Sequence, residues 1–148
     1  MLVVLEGCDG AGKSTLAEFL AKLLNADTVH CTAETPNDYE FFDNIISAAI
    51  TKNIIADRFC YGQFVYQEKE DRRLSKDDLR VLETRMLEAD GKVIIVTAPE
   101  DVILARLASR GETTNMPVKD ILSRFEKVMS KSILPVMRYD TLGTITNQ

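Results

Sequence analysis

The chain has 148 residues, 45% of them apolar, and its 18 basic and 23 acidic side chains give a formal charge of −5. Those proportions exclude disordered, collagenous and low-complexity classes and predict one folded domain over residues 1–148. The negative balance excludes bulk attraction to a nucleic acid polymer or an acidic membrane, so an anionic ligand has to be held by a local cluster. No apolar run nears the ~20 residues that span a bilayer and no basic flank precedes the first apolar stretch, so a cytoplasmic chain without a signal peptide or membrane partner is expected. Cys8, Cys31 and Cys60 are odd in number and lack metal-ligand spacing, which predicts reduced thiols. His30 is the one histidine, and with no G-x-S-x-G beside it a Ser–His hydrolase is excluded.

Leu2 to Leu5 is all apolar and runs into Glu6-Gly7, the pattern of a buried strand entering a glycine turn. From Lys13 to Leu24 the residues Leu16, Phe19, Leu20, Leu23 and Leu24 fall on one helical face. Asp27 to Thr32 is a weaker strand candidate. Phe41, Phe42, Ile45, Ile46, Ala49 and Ile50 mark a second helix, with Asn37 or Asp38 as its cap. Asn53 to Asp57 reads as a short buried strand, and an aromatic-rich stretch follows through Gln67. Ser75 and Asp78 form a capping-box pattern ahead of Leu79, Leu82 and Met86, and Asp90-Gly91 stops that helix. Lys92 to Thr97 is the clearest strand. Pro99 opens a helix with Ile103, Leu104 and Leu107 on one face, a polar segment Arg110 to Asn115 follows, and Pro117 opens a helix carrying Val118, Ile121, Leu122, Phe125 and Met129. Tyr139 to Ile145 is the last strand candidate.

Short apolar strands alternating with helices predict a three-layer α/β fold, a parallel sheet of about five strands flanked by helices, and the polar, glycine-containing composition of Arg110 to Asn115 predicts a mobile segment. Such sheets bind ligands beyond the carboxyl ends of their strands. Gly7 to Ser14, Thr32 to Pro36, Asp57 to Gln67 and Thr97 to Glu100 all fall at that edge.

Gly7-Cys8-Asp9-Gly10-Ala11-Gly12-Lys13-Ser14 completes the pattern G-x-x-x-x-G-K-[ST] of a phosphate-binding P-loop. A chance match is on the order of 10⁻⁵ per starting position. The loop also follows a predicted strand and opens a predicted helix, where backbone N–H groups converge on phosphate oxygens. Gly7, Gly10, Ala11, Gly12, Lys13, Ser14 and Thr15 are therefore the candidate ATP-binding residues, with Lys13 reaching the β- and γ-phosphates and the Ser14 hydroxyl on Mg²⁺. A guanine-specific switch should carry N-K-x-D after a late strand, whereas Lys92 to Thr97 runs into Ala98-Pro99-Glu100-Asp101. A motor ATPase should have an apolar strand ending in an acidic pair, and no strand candidate does.

Leu5 to Thr15 resembles the E-G-x-D-G-x-G-K-S-T opening of the thymidylate kinases, of which this would be a short member. Asp57-Arg58-Phe59 followed by Val65-Tyr66-Gln67 resembles that family's D-R-Y/F and A-Y-Q blocks, and Pro99-Glu100 with Arg106 and Arg110 is similar to the helix entering its lid, which implies a small mobile lid at about residues 106–116. The resemblance implies a P-loop kinase that moves the γ-phosphoryl of ATP, with Mg²⁺, onto a deoxynucleoside monophosphate such as dTMP. Lys13, Asp57, Arg58, Arg106 and Arg110 are then the catalytic candidates: Arg58 for the acceptor phosphate, the other two arginines for the transferring charge. Asp9 would face the acceptor sugar, and Asp57 would hold Mg²⁺ through water or orient Arg58. Gln63 and Tyr66 would lie near acceptor sugar and base, and Phe41 or Phe42 would stack on the base. A homodimer is implied as well.

Thr28 to Asp57 contains no arginine, where the resembled family has two that contact the acceptor, and Ile45 and Ile46 stand one turn past Phe41 and Phe42. A deoxynucleoside kinase, with Asp57 as base toward a 5′-hydroxyl, therefore stays open. So does a non-catalytic nucleotide-binding module, which would need no lid arginines.

Overall fold

The computed structural model describes residues 1–142 and, as backbone, 144–147. Strand β1 (Leu2–Glu6) is buried along its whole length, with Leu2 and Val4 facing one core and Val3 and Leu5 the other. A strand covered on both faces has no polar side to offer, which is why its sequence shows no alternation. It is followed by α1 (Lys13–Leu24), β2 (Asp27–His30), α2 (Tyr39–Ala49), β3 (Ile54–Asp57) and the single turn α3 (Gln63–Tyr66). Then come α4 (Lys76–Glu88), β4 (Lys92–Thr97), α5 (Glu100–Ser109), α6 (Val118–Met129), β5 (Val136–Asp140) and β6 (Thr144–Asn147). The sheet order is β2-β3-β1-β4-β5-β6, with the first five strands parallel and β6 antiparallel to β5. The expected five-stranded parallel sheet is present, and β6 extends it.

One core lies beneath α2 and α4, where Phe42, Ile46, Leu82 and Met86 meet Leu2 and Val4. The other lies beneath α1, α5 and α6, around Ile103, Leu107, Ile121 and Phe125. Removing one such side chain costs about 2–5 kcal/mol, so the two layers fix the strand ends between them. Asp38, not Asn37, caps α2 by accepting from the Phe41 N–H at 2.8 Å. Asn37 instead takes a left-handed conformation and ties its amide to the Thr32 carbonyl. Ser75 and Asp78 close the expected capping box on α4.

Three expectations need correction. The apolar stripe of α1 is covered only in part: Ala17 is buried and Leu16, Leu20 and Leu24 pack against the core, while Phe19 and Leu23 are 61% and 67% exposed. Leu16, Phe19 and Leu20 border a cavity over β4 and β5 with Ile94 and Met137, because no helix covers that part of the sheet. Leu104 is likewise exposed, since α5 packs through Ile103 and Leu107. The final strand candidate, Tyr139 to Ile145, spans the end of β5, a turn and the start of β6, and its residue 143 lies outside the described residues.

Among the described residues no helix is long and apolar enough to cross a membrane. All three cysteines are free and buried, and burial raises each thiol, Cys31 to about 12.

Candidate active site

The segment from Gly7 to Gly12 turns β1 into α1 at the carboxyl edge of the sheet, where β1 stands between β3 and β4. Gly7 has a backbone conformation that side chains avoid, and a Cβ there would occupy the Val96 carbonyl. Gly12, at φ 103°, is the N-cap of α1 and supplies no side-chain acceptor, so the first amides of the helix stay open to an anion. Lys13 is only 6% exposed, and its Nζ donates to the carbonyls of Gly7 and Cys8 at 2.8 and 3.0 Å. Burial lowers its ammonium below the usual lysine range, against the opposing pull of Asp57 and Glu6. An ammonium held over a ring of amides, in a partly desolvated loop, is a strong phosphate receptor.

Asp57 ends β3 and is 5% exposed. Its Oδ2 accepts from Ser14 Oγ at 3.0 Å and lies 3.0 Å from His30 Nδ1, while Oδ1 is buried with no hydrogen-bond partner. An orphaned carboxylate oxygen beside a serine hydroxyl is a hard donor set, which fits a divalent cation that takes most of its ligands from phosphate and water. Among the described residues no group of three or more His, Cys, Asp or Glu side chains forms a separate cage.

Arg58 follows in a left-handed conformation, φ 68°, held by its own N–H on the Leu5 carbonyl at 2.9 Å. Such a conformation costs on the order of 1–3 kcal/mol in a non-glycine residue, and here it turns the guanidinium back across the loop to pair with Asp9. Asp9 and Arg58, with Cys31, Thr32 and Ala33, form the wall shared by two cavities. The first, about 420 Å³, contains Lys13, Ser14, Thr15, His30, Asp57 and Arg110. The second, about 410 Å³, runs beneath α3 past Glu6, Phe42, Gln63 and Tyr66. The loop thus stands between two compartments of nucleotide size.

Within the second cavity Glu6 is 1% exposed and accepts from the Tyr61 N–H at 3.1 Å. Burial pushes its carboxyl up to about 8, although Lys13 and Arg58 act in the opposite direction. Gln63 is largely engaged: it donates to the Asn37 carbonyl at 2.6 Å and accepts from the N–H groups of Arg73 and Leu74. It shapes the wall and has little capacity left for a ligand. Tyr66 packs edge-on against Phe125 and borders the cavity, and burial raises its phenol. Phe42 is 1% exposed and wedged against Phe41 and Phe59, so only an edge meets the cavity. Phe41 does not reach it, because one helical step turns its ring to the groove between α2 and β2 with Asn44 and Ile45.

The two lid arginines differ. Arg106 Nη1 donates to the carbonyls of Gly10 and Ala11 and to Thr141 Oγ1 at 3.1, 3.2 and 2.9 Å, bracing the loop from outside. Arg110 is half exposed, borders the first cavity and has one loose carboxylate neighbour, Glu112 at 3.5 Å.

Two site residues escaped the sequence reading. His30 sits opposite Asp57 in the parallel register of β2 and β3, a pairing that becomes visible only once the strand order is known. Glu6 did leave a signal: an acid at the end of an otherwise apolar strand.

No protein-family model matches the chain, and no curated protein matches it. Among solved structures, the YorR protein of Bacillus subtilis, in complex with phosphorylated GDP, is 30% identical over 95% of this chain and 86% of that one, with a TM-score of 0.80. The deoxyadenosine kinase of M. mycoides with bound dCTP is similar in fold at 17% identity, covering 97% of this chain and 92% of that one, TM-score 0.62. Shikimate kinase of Aquifex aeolicus is a further fold relative at 15% identity, 95% and 85% coverage, TM-score 0.55.

Proposed function

The chain belongs with YorR to one family of P-loop nucleotide kinases, and from that premise we propose that it transfers the γ-phosphoryl group of Mg-ATP to a deoxynucleoside monophosphate, with dTMP as the first acceptor to test. The observation that carries this reading is the pair of cavities, about 420 and 410 Å³, divided by Asp9 and Arg58. A phosphoryl donor and an acceptor can face each other across that wall, with Lys13 on the donor side and Arg58 between them. The nucleotide bound to YorR supports a nucleotide in such a site.

Transfer between two polyanions is mostly positioning and offset of charge. The amides of residues 7–13 and the Lys13 ammonium hold the donor phosphates. Ser14 and Asp57 would hold Mg²⁺, which would supply positive charge to offset the negative charge of the donor phosphates. Arg58 receives the acceptor phosphate once the substrate displaces Asp9, and Asp9 is then free to accept from a sugar hydroxyl. Arg110 sits on the segment after α5, within reach of the first cavity, and stabilises charge on the transferring group.

A second reading, a deoxynucleoside kinase with Asp57 as base toward a 5′-hydroxyl, is favoured by one observation: among the described residues Arg58 is the one cation lining the acceptor cavity. The deciding experiment is ADP formation from Mg-ATP against a panel of deoxynucleosides and their monophosphates. Conversion of dTMP or another monophosphate to its diphosphate supports the first reading. Turnover with nucleosides alone gives the second, and binding without acceptor-dependent turnover overturns both.

A further inference from the structure

A further cleft, about 430 Å³ and open to solvent, lies across α3 from the acceptor compartment, between the first half of α4 and the end of α6. Gln63 and Tyr66 face the acceptor side of α3, and Phe64 faces this one. Six of the chain's 18 basic residues border it: Arg72, Lys76, Arg80, Arg124, Lys127 and Lys131. Lys76 and Arg80 are one turn apart on α4. Arg124 and Lys127 are one turn apart on α6, and Lys131 follows one turn later. Like charges at that spacing repel each other, and two such rows face each other here in a protein of net charge −5. Among the described residues none of the six forms an ion pair.

The one carboxylate on the wall, Glu83, is 2% exposed and already accepts from Tyr61 Oη at 2.8 Å and from Ser132 Oγ. It offers the cations little relief. Two of the arginines are held in place: Arg72 lies 4.8 Å over the Phe64 ring with its Nε on the Gln67 carbonyl, and Arg124 Nη1 donates to the Val65 carbonyl at 3.1 Å. Leu79, Val128 and Phe64 supply an apolar floor between the charged rows.

We propose that this cavity binds the polyphosphate chain of a nucleoside triphosphate at a site separate from the P-loop, with the base on the apolar floor. Six cations without a carboxylate partner around one cleft suit several adjoining phosphates better than one, and the floor accepts a planar apolar face. A nucleic acid strand fits worse. The segments carrying Arg72 and Lys76 also carry Glu68, Glu70, Asp71 and Asp77, which would repel a polyanion running beyond the cavity. The assignment does not rest on the reaction proposed above, because it can be read in protein whose transfer is disabled.

The test is calorimetric titration of the full chain with ATP and, in parallel, with inorganic triphosphate. Wild type is expected to bind two ATP molecules and the Lys127→Glu/Lys131→Glu variant one. The Lys13→Ala protein should keep a single site that weakens at least ~10-fold on adding the two charge reversals and falls off with salt. Both lysines are exposed, and Lys127→Gln/Lys131→Gln repeats the measurement should charge reversal impair folding. One site in wild type, or ATP binding by Lys13→Ala that ignores the reversals, overturns the proposal. So does equal affinity for inorganic triphosphate, which would leave the base no role. Displacement of ATP from the Lys13→Ala protein by a short single-stranded oligonucleotide at lower concentration would overturn it in favour of a nucleic acid surface.

Discussion

His30 Nδ1 lies 3.0 Å from Asp57 Oδ2, on the oxygen that also accepts from Ser14 Oγ, and the other oxygen, Oδ1, is buried without a hydrogen-bond partner. The imidazole side chain is 60% exposed while the carboxylate is 7% exposed, so the histidine contributes little packing and fixes a rotamer. His30→Ala is therefore expected to lower kcat/KM by about 10–100-fold, the usual cost of losing a group that orients a metal-binding carboxylate. His30→Asn, which can still donate to Oδ2, should recover part of that loss, and thermal melts of all three proteins should agree closely. A melt that falls as far as the activity would assign His30 a structural role only.

Lys13→Ala should abolish transfer, by at least ~10²-fold, while the protein stays folded. The ammonium donates only to the Gly7 and Cys8 carbonyls, so its removal opens space at the loop without disturbing either apolar core. Circular dichroism and a melt would report the fold, and ADP release the activity. Retained activity would refute the role given to the loop.

Arg106 and Arg110 should separate. Arg110→Ala should reduce kcat by roughly 10³-fold with ATP affinity changed within about 3-fold, because among the described residues its one ion-pair partner is Glu112, at 3.5 Å. Arg106→Ala removes donors from two loop carbonyls and Thr141, so it should weaken ATP binding and lower stability by about 1–3 kcal/mol. Titration with ATP and steady-state kinetics on both variants decide the matter. Equal losses of turnover and affinity in Arg110→Ala would remove its catalytic role.

The loop, α1 and β4 were legible to the residue because each obeys a local rule: glycine placement, an apolar helical period from Lys13, a continuous apolar run. The face on which α1 packs was legible only in part, through Leu16, Leu20 and Leu24. Phe19 and Leu23 satisfy the helical period, but which side of a helix is covered depends on where β4 and β5 lie, and that is a long-range fact. Arg58 was visible as a motif, yet its left-handed backbone and its turn back to Asp9 follow from the Leu5 carbonyl across the sheet edge. His30 and Asp57 are 27 residues apart and meet only because β2 pairs with β3.

Glu6 sets a pH dependence whose sign is opposite to that of most carboxylates. Burial raises it from 4.5 to about 8 in the folded protein, so the native state holds this proton more tightly than the unfolded chain does. Its contribution is complete below pH 4.5 and is lost as pH rises through about 8, at a cost bounded by roughly 5 kcal/mol. Lys13, lowered by burial, is linked with the opposite sign on the alkaline side, so the informative quantity is the difference between wild type and Glu6→Gln. Glutamine keeps an oxygen for the Tyr61 N–H and carries no charge at any pH. Glu6→Gln should match wild type in urea midpoint at pH 4.5 and exceed it increasingly toward pH 8.5. Parallel curves across that range would mean that Glu6 is ionised in the fold and neutralised by Lys13 and Arg58, whose pull would then outweigh burial.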